Sequence, residues 1–319
     1  MGNRLTSTLG YGLRRLEEPL YSGYSCRAHG LDTRHSGAGR GRTIMIDLEQ
    51  MHDPLGLLQL GYAKPLLEHR ARRWIDGRFE EGSETIAEEI PVAIIYNGIP
   101  HVVMMTTPQD LEDFALGFSV TEELIPSPID LTRVEVVRYS RGIELQATVS
   151  AACEDLIASR TRKLSGRTGC GICGAESFEA VMKQLHPVAA GPSISARAVQ
   201  RGVQELKAGQ TLNAAAGAVH AAGWVALDGT VELVREDVGR HNALDKLIGA
   251  LLRRGADPGS GFVVVTSRAS FEMVQKTTVL GAPLMAAISG PTGLAVRVAQ
   301  QAGLTLVGFA RQDRLTVYT

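Results

Sequence analysis

Beyond Ser193, short apolar runs alternate with helix-like stretches, and this alternation restricts the fold more than any other feature of the chain. Residues 231–234 read as a strand; Ala243, Leu244, Leu247, Ile248, Leu251 and Leu252 then fall on one helical face, closed by Arg253, Arg254 and Gly255. Residues 262–266 form an unbroken apolar run of the kind buried on both faces of a sheet, followed by a loop and a helix over 270–280. Runs at 283–289 and 304–309 repeat the layout around a helix at 292–302, and 315–318 adds a last, antiparallel strand. The pattern predicts a layered α/β sheet domain over residues 193–319.

Upstream the pattern differs. Residues 91–96 and 101–106 are strand-like and meet through Asn97-Gly98, a dipeptide that accepts the positive φ angles of a tight hairpin. Thr107 reads as an N-cap, with Pro108 at the first helical position and Asp110 three residues after the cap, ahead of Leu111, Phe114, Ala115 and Phe118. Residues 133–139 and 143–149 predict a second hairpin across Arg141-Gly142. Residues 76–150 are therefore expected to form a smaller α+β domain, with regular structure from about Glu88. Residues 1–75 are read as a flexible extension: Ser, Gly and Arg recur without periodicity, as in Arg34-His35-Ser36-Gly37-Ala38-Gly39-Arg40-Gly41-Arg42. The first part is alternatively sequence upstream of a later start at Met45 or Met51.

With 44% hydrophobic and 21% charged residues in 319, there is apolar material for two cores. A formal net charge of −1 argues against bulk affinity for nucleic acid or membrane, and no apolar run is long enough to span a bilayer. Four cysteines without a signal peptide point to a reducing cytoplasm.

Between the two domains, residues 151–192 hold a basic loop and helix carrying Cys170-Gly171-Ile172-Cys173-Gly174. A helix-like run over 175–185 follows, whose N-terminal dipole favours thiolate over thiol; Arg160, Arg162, Lys163 and Arg167 push the same way. The glycines suit an arm that visits another molecule's surface, and the chemistry is that of sulfur handling. Three other uses of such a pair stand beside this one. Half of a zinc site would need a second pair that Cys26 and Cys153 do not form; a dithiol oxidoreductase would place the motif after a first strand; a structural disulfide belongs to an oxidising compartment. Cys26 and Cys153 are read as inert thiols.

In sheets of this kind, ligands bind beyond the strand C-terminal ends. Four polar clusters fall there: residues 235–242 with Arg240, His241 and Asn242, residues 266–270 with Ser267 and Arg268, residues 289–292, and Ala310-Arg311-Gln312-Asp313-Arg314. Guanidinium groups, hydroxyls and backbone N–H would hold phosphates, with Glu236 or Asp237 accepting from a sugar or base. Each cluster also serves as an ordinary helix cap, and a nucleotide-like ligand is the joint inference. His241 is the candidate for substrate contact. His220 is read equally as a core strand histidine, and Asp245 and Lys246 as solvated surface.

These same stretches carry a resemblance. Cys170-Gly171-Ile172-Cys173-Gly174, the block from Glu236 to Lys246, the block from Ser267 to Lys276, and residues 304–309 resemble, in order, the formate dehydrogenase accessory sulfurtransferase family, FdhD. The likeness runs from about Glu88 to Thr319. It implies a cytoplasmic sulfurtransferase that takes sulfur from a cysteine desulfurase and passes it to the molybdenum (or tungsten) bis(guanine dinucleotide) cofactor, bound as substrate, before insertion into formate dehydrogenase. Cys170 is then the persulfide carrier, and Cys173 assists or resolves it. Cofactor contacts carry over to Phe309, Ala310, Arg311, Gln312, Asp313 and Arg314, where Gln312-Asp313 replaces the Pro-Gly of many members. A homodimer with the cofactor site near its interface is also implied. So is a likeness of the larger domain to cytidine deaminases, making residues 193–319 the cofactor-binding domain. The deaminase zinc signature is missing, so no permanently bound metal is expected. A non-catalytic molybdenum cofactor chaperone is the alternative from another class.

Overall fold

The computed structural model describes residues 57–164 and 185–319. Cys26, Met45, Met51, Cys170, Cys173 and all but the last residue of the helix expected over 175–185 lie outside the described residues.

Strands β1 (Leu66–Ile75) and β2 (Arg78–Ala87) form an antiparallel two-stranded hairpin turning at Asp76-Gly77, both with positive φ. This corrects the expectation that residues up to 75 form a flexible extension and that regular structure begins near Glu88. Charged residues on both faces of these strands, among them Arg70, Arg72, Arg73, Glu80 and Glu81, hide the period-two signal on which strand reading depends.

A four-stranded sheet follows, built from β3 (Ile90–Tyr96), β4 (Ile99–Thr106), β5 (Leu131–Tyr139) and β6 (Gly142–Val149) in the order β4-β3-β6-β5. The β3–β4 hairpin turns through Asn97 and Gly98, at φ 47° and 81°, as the dipeptide requires. In β3, Ile90, Val92, Ile94 and Tyr96 alternate inward onto Phe114 and Phe118 of helix α1 (Leu111–Thr121). The expected cap at Thr107 does not form. Helix α1 starts four residues later, behind Asp110 in a left-handed conformation, because the Thr107 hydroxyl is taken by the Val238 N–H and its carbonyl by Lys246.

After α2 (Glu154–Leu164), the described chain resumes at Leu185 and enters α3 (Ala196–Gly209) and α4 (Thr211–Ala216). Strands β7 (His220–Ala226), β8 (Val231–Asp237), β9 (Gly261–Val265), β10 (Leu284–Ala287), β11 (Thr305–Gly308) and β12 (Thr316–Val317) build a six-stranded sheet in the order β12-β11-β10-β9-β7-β8. β9, β10 and β11 are parallel, β12 is antiparallel, and β7 runs against both of its neighbours, so β8 to β11 all point the same way. The fold is mixed α/β, as expected from the alternation.

Helices α5 (Arg240–Arg253), α6 (Phe271–Leu280) and α7 (Gly293–Ala302) cover one face of this sheet, with Leu244, Leu247, Ile248, Met273, Val274 and Val298 in one apolar cluster. Val199, Val203 and Leu206 of α3 cover the other face, against Phe262, Val264 and Ala286. The back of α5 is covered in turn by α1. A Cβ on Gly117 would stand 1.8 Å from the Asp245 carbonyl oxygen, and one on Gly249 1.9 Å from that of Asp113, so the two helices meet backbone to backbone. The pairing of 113 with 249 and 117 with 245 makes them antiparallel, and it brings the end of α1 level with the first turn of α5.

This wall overturns the reading of Asp245 and Lys246 as solvated. They are 1% and 0% exposed, because the polar side of α5 faces α1 and not water. Each has a partner: Lys246 Nζ lies 2.7 Å from Asp237, and Asp245 takes both its oxygens to Lys276 Nζ at 2.9 Å. Burial works against the charged Lys276 amine, but Asp245 and Glu122 beside it overcome that and raise its pKa.

Candidate functional site

Because β8, β9, β10 and β11 share a direction, their C-terminal ends form one rim, and the start of the reversed strand β7 joins it. Backbone bonds lock the rim loops together. Ile288 N–H donates to Val265, Thr292 N–H to Ala269, Phe309 N–H to Ser289, Ala310 N–H to Ala287, and Thr266 N–H to Ala221, all within 3.0–3.1 Å. Two helix N-termini open onto it: Gly239 and Ser270 precede α5 and α6 without a side-chain cap bond, leaving N–H groups for an anion. At α7 the Thr292 hydroxyl accepts from Ala295 and occupies that role itself.

His241, in the first turn of α5, is 9% exposed, and its Nε2 has no hydrogen-bond partner. Burial, with Lys276 and Arg240 adding to it, pushes the imidazole down to about 3, so it is neutral at physiological pH. Burial and Arg240 also depress His220, which pairs with Asp237 across β7 and β8. Arg240 Nε and the Ser270 Oγ are likewise unpartnered. A ligand that accepts from Arg240 and Ser270 and meets a neutral imidazole would satisfy groups the protein itself leaves open.

Phe309 closes the rim. Its φ is +49°, costly for an aromatic residue, on the order of 1–3 kcal/mol. The ring lies over Gly290, where a Cβ would come within 2.7 Å of it, while the residue stays 38% exposed. One ring face is thus backed by protein, an arrangement suited to stacking a planar base. Beyond it, Ala310 is buried, whereas Arg311, Gln312, Asp313 and Arg314 are exposed in a turn closed by the Arg311 N–H to the Arg314 carbonyl at 2.8 Å. The turn closes with Gln312-Asp313 in place of Pro-Gly.

Comparison with known proteins decides the family. Residues 87–319 match the family model described as FdhD/NarQ family. The chain belongs to the FdhD/NarQ family. It is 49% identical over 255 residues to the "Sulfur carrier protein FdhD" of Variovorax paradoxus strain S110, covering 80% of this chain and 90% of that one. To the protein so named in Xanthomonas campestris pv. campestris it is 50% identical over 248 residues, covering 78% and 88%. The crystal structure of a protein from Desulfotalea psychrophila, described as a formate dehydrogenase accessory protein, superposes with a TM-score of 0.62 at 24% identity, over 80% of this chain and 96% of that one.

In this FdhD/NarQ chain the strand ends and helix starts of the rim carry Arg240, His241, Ser267, Arg268 and the stretch from Phe309 to Arg314. Ser267 is buried with its hydroxyl donating to the Arg268 carbonyl, and Arg268 is exposed. Two expected acceptors are not available. Glu236 caps α4, taking N–H groups of Leu212 and Asn213 at 2.8 and 2.9 Å. Asp237 accepts from Thr106, Thr107, Gly239 and Asn242 and pairs with Lys246, which leaves nothing for a sugar or base. Both belong to β8 and not to the loop after it, because the strand runs three residues beyond the end expected for it at Val234. Among the described residues no group of three or more His, Cys, Asp and Glu is placed to hold a metal, and no helix is long and apolar enough to cross a membrane. Cys153 is buried as a free thiol beside the Ser150 hydroxyl.

Proposed function

We propose that the chain carries sulfur as a persulfide on Cys170, from a cysteine desulfurase to the molybdenum or tungsten bis(guanine dinucleotide) cofactor destined for formate dehydrogenase. Sulfur carriage is the role that the relatives' names state. The observation that carries the cofactor reading is the rim itself: two uncapped helix N-termini, unpartnered Arg240 Nε, His241 Nε2 and Ser270 Oγ, and a Phe309 ring backed on one face. Phosphates suit the N–H groups and Arg240, Arg311 and Arg314, and a guanine suits the ring. The family likeness extends the proposal to a homodimer at work in the cytoplasm.

The sulfur steps balance as follows. The Cys170 thiolate attacks the outer sulfur of the desulfurase persulfide; a new S–S bond forms and the desulfurase cysteine leaves as thiolate. Attack by Cys173 on the Cys170 Sγ expels the outer sulfur as hydrosulfide for the metal, and the two thiols supply its two electrons by closing a disulfide. A dithiol reductant then restores the pair.

Incubating the full chain with a desulfurase and cysteine should add one sulfur atom to Cys170, read by mass spectrometry of the intact protein and its peptides. A cofactor chaperone without covalent chemistry would bind guanine nucleotide and gain no sulfur, an outcome that would end the carrier reading.

A further inference from the structure

One carboxylate holds both ends of the stretch that carries the cysteines. Arg160, on α2, donates to the Glu123 carboxylate at 3.2 Å and to the Glu122 carbonyl, and His186 Nε2 lies 2.8 Å from the other Glu123 oxygen. Cys170 and Cys173 lie between Arg160 and His186 in the chain.

Glu123 occupies this place against its own backbone preference. Its φ is +55°, a left-handed conformation that glycine or asparagine takes more cheaply, by roughly 1–2 kcal/mol. A long carboxylate at such a position indicates that the side chain is needed. The neighbouring Glu122 is bound to Lys276, which is bound to Asp245 and Thr121, so the clamp is anchored to the ion pair between α5 and α6. The antiparallel pairing of α1 with α5 sets this point level with His241, and the His241 imidazole feels both Lys276 and Glu122. The two ends of the cysteine stretch are therefore tied down on the rim side of the molecule.

We propose that Glu123 is a positioning residue for sulfur transfer, fixing where the stretch with Cys170 and Cys173 leaves and rejoins the body so that sulfur is handed over beside His241. This rests on the sulfur-carrier reading. The test uses the full-length Glu123→Gln protein, with Glu123→Asn as a second variant that removes the carboxylate yet suits the left-handed backbone.

Three quantities are compared with wild type: persulfide loading on Cys170 by a desulfurase, guanosine diphosphate affinity, and formate dehydrogenase activity restored in cells. Loading and nucleotide affinity should stay within about twofold, because neither needs the clamp, while restored activity falls roughly ten- to hundredfold through lost orientation. Trypsin cleavage between Arg160 and His186 should be several-fold faster in both variants. Equal cleavage and unchanged restoration in both variants overturn the proposal, as does an activity loss matched by an equal loss of loading. Failure of the carrier reading looks different: wild type itself then takes up no sulfur, whatever residue stands at 123.

Discussion

Asp237→Ala is expected to cost roughly 3–5 kcal/mol, a large share of the about 5–15 kcal/mol that holds a typical domain folded. Asp237 is fully buried and gathers five groups from three parts of the chain: the Thr106 hydroxyl at 2.5 Å, the Thr107 N–H at 3.0 Å, the Gly239 N–H at 2.8 Å, the Asn242 amide at 2.9 Å and Lys246 Nζ at 2.7 Å. Removing it strands the ammonium of Lys246, itself 0% exposed, and leaves the Gly239 and Thr107 N–H groups without an acceptor. Thermal and urea denaturation of the variant measure the loss. Asp237→Asn, which keeps shape and some hydrogen bonds but not the charge, should fall between the two. A melting temperature within a degree of wild type for the alanine variant would show that the hub contributes no stability.

Cys170→Ala is expected to abolish formate dehydrogenase activation, a fall of at least ~10³-fold, while leaving guanosine diphosphate binding and the melting temperature unchanged. The thiolate is the nucleophile in the proposed chain of transfers, and no other described cysteine substitutes for it, since Cys153 is buried. Activation of a dehydrogenase in cells supplied only with the variant is the measurement. Activity near wild type would remove covalent carriage and leave a cofactor-binding role. Cys173→Ala separates the last step: loading of Cys170 should persist while release slows, because no partner thiol then closes the disulfide.

The larger sheet was legible because apolar runs buried on both faces, such as Phe262 to Val265, have few other uses, and because Gly255 marks a helix end, where its φ is positive. The rim followed from strand direction, which the alternation dictates. What escaped notice depended on contacts distant in sequence. Asp245 and Lys246 look solvated on a helical wheel, and only the arrival of α1, more than a hundred residues upstream, turns their side of α5 inward. Glu236 and Asp237 look like free rim acceptors until the starts of α4 and α5 claim them. Nothing in the local sequence singles out Glu123, since neither the left-handed turn nor its contacts with Arg160 and His186 leave a periodic trace. The β1–β2 hairpin was hidden for the opposite reason, its strands being charged on both faces.

The backbone contact of α1 and α5 fixes the height of one helix against the other. With no side chain standing between Gly117 and Asp245, or between Gly249 and Asp113, this joint has no clearance in which one sheet could slide past the other. The height of the carboxylate at 123 above the histidine at 241 is thereby determined by two missing methyl groups. A single added carbon at either glycine would have to lever the two helices apart, and it would shift residue 123 relative to residue 241 without touching either one.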